Sequence, residues 1–160
     1  MSIILDVYVL APARNRETLD KFLEKYVRGF KAAADEYEFP QYAKEPSFVT
    51  KDLDTLFDAL FKGPEQPHAV YWTPEESEDM VAAMVFFTKD GEMIFGLTVL
   101  EERAEHYLAQ LNADFGTDES LVLYEQPPPD TAREFKEWAA EGPSDMCQHR
   151  KLMEQGPSGV

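Results

Sequence analysis

Residues 84–100 read MVFFTKDGEMIFGLTVL, and the way this stretch folds decides whether the chain is built around a sheet. Two apolar runs rich in Val, Ile and Phe flank Asp90–Gly91, a dipeptide that tolerates positive φ and so closes hairpins. A two-residue loop sets Lys89 opposite Glu92, Thr88 opposite Met93, Phe87 opposite Ile94 and Phe86 opposite Phe95. That register contains a cross-strand charge pair and an aromatic pair. It places Met84, Phe86, Phe95, Leu97 and Val99 on one face, and Val85, Phe87, Ile94, Gly96 and Thr98 on the other. The second face is too apolar for a solvated sheet, so a helix, a second subunit or a partner is expected over part of it. TKDGE lacks the ladder of oxygen ligands and the closing Glu of a calcium loop, and is read as a turn.

Working outward, Ile3 to Leu10 reads as an opening strand. Leu19, Phe22, Leu23, Tyr26, Val27 and Phe30 recur at helical spacing, with Asn15 placed to cap the first turn. The segment 35–48 has no steady period and carries Pro40 and Pro46, so it reads as a connection. A second helix follows, from Asp52 to the KGP at 62–64, and then a strand from His68 to Trp72. Beyond the hairpin come a helix ending at Gly116, a strand from Ser120 to Tyr124, and a helix starting near Asp130 or Thr131. Thr131 and Glu134 have capping-box spacing, and Phe135, Trp138 and Ala139 give that helix an apolar side.

This order predicts an α+β two-layer sandwich, an antiparallel or mixed sheet packed by helices. Removing the second helix and one short strand leaves βαββαβ, a ferredoxin-like topology with insertions. Residues 1–141 read as a single domain and 142–160 as a partly flexible C-terminal extension.

Thirty-one acidic residues against fifteen basic ones give a formal charge of -16. Such a field repels nucleic-acid phosphates and attracts a basic protein. Arg14 and Arg16 read as a solvated helix start. One cysteine excludes an internal disulfide, and no apolar run is long enough to span a bilayer, so the expected location is cytoplasmic.

Chemistry-bearing residues are sparse. His68, His106 and His149 fall in different elements, Cys147 and His149 lack a second ligand pair, and no phosphate loop or nucleophile elbow occurs. No catalytic residue, metal or cofactor is therefore assigned. Glu75, Glu76, Glu78 and Asp79 form the densest acidic run, and a second negative region extends from Asp35 to Asp58. Tyr71 and Trp72 adjoin the run and are candidate interface anchors, because aromatics carry much of the energy at contact centres.

In size, charge and lack of catalytic motif the chain is similar to bacterial immunity proteins as a broad class, a resemblance that transfers no functional position. The function expected is non-enzymatic: a protein-binding module whose acidic surface engages or inhibits a basic partner, of the toxin-immunity type, without nucleic acid or membrane. The alternative is a small α+β enzyme or ligand-binding domain with a cleft beside the sheet. A homo-oligomer that buries the second hairpin face is a third arrangement.

Overall fold

The structure is a computed structural model describing residues 3–76 and 79–141. In chain order the elements are β1 (Ile4–Leu10), α1 (Arg16–Phe22), β2 (Lys31–Ala32), β3 (Tyr37–Phe39), β4 (Phe48–Thr50), α2 (Leu53–Lys62), β5 (His68–Thr73), β6 (Met80–Phe87), β7 (Met93–Leu100), α3 (Ala104–Phe115), β8 (Ser120–Leu123) and α4 (132–141). Six strands form one antiparallel sheet in the order β2-β5-β6-β7-β1-β8, and β3 and β4 form a separate two-stranded sheet. The fold is thus mixed α+β, with two sheets packed by helices.

The central hairpin forms, but one residue out of the expected register. Phe87 faces Met93, Phe86 faces Ile94 and Val85 faces Phe95. Three residues, Lys89 to Gly91, bridge the closing pair: the Thr88 amide donates to the Glu92 carbonyl at 3.0 Å, and the Glu92 amide donates to the Thr88 hydroxyl at 2.8 Å. Gly91 takes φ +88°, the left-handed residue that ends a three-residue hairpin loop. With a side-chain period of two, this slip changes the faces. Ala83, Val85, Phe87, Met93, Phe95, Leu97 and Val99 share one core, whereas Met84 and Ile94 belong to the opposite face. The expected Lys89–Glu92 pair gives way to Lys89 against Asp130, at 3.3 Å.

The first face carries the larger core, packed by α1, α2 and α3. Phe22 stacks on Phe95 with ring centroids 4.4 Å apart, and both contact Phe115, joining α1, β7 and α3. Asn15 caps α1 as expected, accepting from the Thr18 amide at 2.8 Å. The helical path ends at Val27 through a π-helical turn over Leu23–Val27, so Phe30 lies beyond it. Arg14 is no solvated helix start. Its guanidinium donates to the carbonyls of Leu60 (2.7 Å), Gly63 and Gln66 (both 3.2 Å) and Thr88 (3.1 Å). It thereby fastens the end of α2 and the hairpin loop to one point.

On the second face, α4 lays Ala132 and Phe135 over Tyr8, Leu10, Met84, Ile94, Leu121 and Leu123. The two expected layers therefore become three over this half of the sheet. The turn at 88–92 also positions α4, since the Asp90 carboxylate accepts the Ala132 amide at 2.8 Å and the Arg133 amide at 3.1 Å. Burial pulls the Asp90 carboxyl upward, but hydrogen bonds from Thr88, Ala132 and Arg133 outweigh it and hold the group below its ordinary pKa. TKDGE is thus a turn that doubles as a helix cap.

Gly96 has a packing reason. A Cβ there would meet the Tyr8 ring at 2.6 Å. Tyr8 crosses β7 at this bare position, meets Phe86 edge-on at 6.0 Å, and donates from its hydroxyl to the Gln126 carbonyl at 2.9 Å. Among the described residues no helix is long and apolar enough to cross a membrane. The extension 142–160, with Cys147 and His149, lies outside the described residues.

Candidate functional site

Strand alternation separates the two expected anchors, because neighbours on a strand point to opposite faces. Trp72 is 4% exposed and belongs to the first-face core, which corrects its assignment as a surface anchor. Tyr71 points the other way and is 42% exposed. Glu75 and Glu76 are exposed in the turn after β5. Glu78 lies outside the described residues. Asp79 is half-buried and committed in part, its carboxylate 3.3 Å from Arg103 Nε.

The sharper surface feature lies at the other end of β5. Among the described residues, Tyr42, Val49 and Tyr71 are three of the five exposed large apolar side chains, and Tyr42 is the barest at 85%. They lie around two adjoining recesses: Val49 and Tyr71 line one, and Tyr42 lines the other with Phe86, whose ring meets Tyr71 edge-on at 5.7 Å. Tyr42 sits at φ +64°, and its amide donates to Glu38 Oε1 at 2.9 Å. The backbone of a bulky residue is thus held in the left-handed region by a named bond, while its ring stands in solvent.

Gln41 explains why β2 stops. β2 pairs Lys31 with Thr73 and Ala32 with Trp72, and Ala33 still donates to the Tyr71 carbonyl at 3.0 Å. Continuing that register would bring Asp35 to Ala69, but the chain turns away. The Gln41 amide takes the vacant ladder position, accepting from the Ala69 amide at 2.9 Å and donating to its carbonyl at 3.4 Å. Recesses open on both sides of this bridge. One, of about 340 Å³, lies between β5 and the departing chain, with Glu36 and Glu38 in its lining. The other, of about 320 Å³, is walled by Tyr42 and by Pro127 to Asp130, with Phe86 and Ala69 also lining it.

His68 lies beneath the bridge, with its ring nitrogens 3.2 Å from the carbonyl oxygens of Ala69 and Glu38. Burial lowers its pKa against the opposing pull of those carbonyls. The ring therefore faces backbone rather than the carboxylates an acid–base pair would need. His106 is exposed on α3, with its ring beside that of Tyr107. Asp6 is 9% exposed on the second face, its carboxylate accepting the Thr98 hydroxyl at 2.6 Å and the Gln126 amide at 3.4 Å. Burial raises its pKa more than those bonds lower it. Among the described residues no three His, Cys, Asp or Glu side chains converge as metal ligands.

Sequence reasoning missed Tyr42 and Gln41 because both fall in the expected connection, and it placed Glu38 only within the negative region from Asp35 to Asp58. The available signal was an aromatic residue in a polar segment bounded by Pro40 and Pro46, where no periodic face exists to bury it. Comparison with family models, curated proteins and solved structures finds no match to this chain.

Proposed function

We propose that this chain is a non-enzymatic protein-binding module that engages or inhibits a basic protein through an acidic surface, as an immunity-type protein would cover a toxin's cationic face. The observation that carries this reading is the exposed Tyr42–Tyr71 pair, held at a sheet edge whose lining includes Glu36 and Glu38. A net charge of -16 steers a cationic protein over long range, and tyrosines supply contact area at low conformational cost. Glu75 and Glu76 extend the negative charge beyond the far end of β5. The partner is expected to be a protein rather than nucleic acid or a membrane.

The frame suits this use. The strand order β8-β1-β7-β6, with α1 and α3 as connections, supports a ferredoxin-like βαββαβ unit. On that reading β2 to β5 and α2 are an insertion between α1 and β6, and the insertion carries both exposed tyrosines. An experimental structure with a different order among these four strands would overturn the topology.

The functional test is capture of basic proteins at low and then moderate salt. A specific basic protein should be retained and then released as salt rises. Replacing Glu75, Glu76, Glu78 and Asp79 by Lys should weaken capture. Retention of anionic proteins only, or turnover of a small molecule by the purified chain, would contradict the proposal.

A further inference from the structure

We infer, on the footing of the basic-partner reading above, that the recess between β5 and the departing β2 strand receives an arginine side chain of the partner. Three properties of the recess select that chemistry. Its walls include Ala33, Ala34, Val49 and Ala69, a smooth aliphatic surface suited to an unbranched stem. Glu36 and Glu38 also line it, and neither takes part in an ion pair among the described residues. By contrast Asp20 and Asp54 share Arg16, and Asp114 holds Lys25 at 2.6 Å. An anionic occupant is repelled, and an apolar one leaves both carboxylates uncompensated.

The third property separates arginine from lysine. Tyr71 lines the recess, so a planar cation finds a ring to stack on. Guanidinium is flat, weakly hydrated and able to grip a carboxylate with two parallel bonds, whereas ammonium is a compact, strongly hydrated charge. Glu38 is already oriented by the Tyr42 amide, which holds one carboxylate oxygen at 2.9 Å.

The test is an NMR titration of the full chain, labelled with ¹⁵N, by two blocked tripeptides, acetyl-Gly-Arg-Gly-amide and its lysine counterpart, at low salt. The arginine peptide should shift amides in 33–42 and 69–71 and bind at least about threefold more tightly than the lysine peptide. Glu38→Gln keeps an acceptor for the Tyr42 amide but removes the charge, and should weaken the arginine peptide about three- to fivefold with unfolding unchanged. Tyr71→Ala should erase most of the arginine preference. Equal affinity for the two peptides, shifts centred on Glu75 and Glu76, or no shifts at all would each overturn the subsite. The basic-partner reading fails separately, when capture of a basic protein shows no dependence on salt or on the acidic loop.

Discussion

Over β8, β1 and β7 the second face of the sheet lies under α4, and over β5 the same face meets solvent. Under α4, Tyr8, Ile94, Leu121 and Leu123 are buried together with Phe135. Two strands away Tyr71 is 42% exposed, although it joins the same aromatic row: Tyr8 meets Phe86 at 6.0 Å, and Phe86 meets Tyr71 at 5.7 Å. One continuous apolar surface is thus divided between folding and the contact we propose. The dividing wall is the Pro127–Asp130 segment, tied to the sheet through Gln126 by Tyr8 and Asp6. Charge follows the same division. On the covered side the Asp6 carboxylate is buried and hydrogen-bonded, and on the open side Glu36 and Glu38 form no ion pair among the described residues.

The largest expected effect lies on the covered side. Phe135→Ala removes the fully buried ring that α4 sets against the sheet and should cost about 3–5 kcal/mol, measured by urea unfolding. A loss below about 1 kcal/mol would mean that α4 is not the lid of this face. Gly96→Ala comes next. Its Cβ would collide with the Tyr8 ring, which must then leave the bare position on β7. A cost of about 1–3 kcal/mol is expected, with loss of the Tyr8–Phe86 contact in NMR spectra.

Asp90→Ala should be milder, about 1 kcal/mol, because it removes acceptors from the first turn of α4. Here the pH dependence has a definite sign. The folded-state pKa of Asp90 is lowered, so its contribution is present above the ordinary carboxylate pKa and lost as pH falls through the lowered value. The variant's deficit should therefore shrink in acid. Asp6 runs oppositely: its raised pKa favours the folded state below the ordinary carboxylate pKa, and that advantage disappears as pH rises through the folded value. The smallest effect on stability is expected from Tyr42→Ala, within about 0.5 kcal/mol, because its ring is almost wholly in water.

Local signals in the sequence located the long elements. Asn15, Asp52 and Gly116 mark helix ends where the structure has them, because caps depend on residues only a few positions away. The hairpin was visible but its register was not, since an Asp-Gly turn accepts either two or three loop residues and the Thr88 hydroxyl selects three. β3 and β4 were hidden because three-residue strands, one just before Pro40 and one just after Pro46, show no usable period. The role of Arg14 could not be seen, because its carbonyl partners come from α2 and the hairpin loop, far along the chain. Of the expected surface anchors, Trp72 was betrayed by its neighbour: alternation permits only one of an adjacent pair to face outward.

The most direct measurement is calorimetric titration of the captured basic protein into the wild-type chain and into Tyr42→Ala/Tyr71→Ala, after urea unfolding has shown that the double variant is fully folded under the titration conditions. If the open half of the face is the contact surface, the double substitution should lower affinity at least about tenfold and leave the salt dependence largely in place. Unchanged affinity in the double variant would place the contact elsewhere and contradict the division of this face between folding and binding.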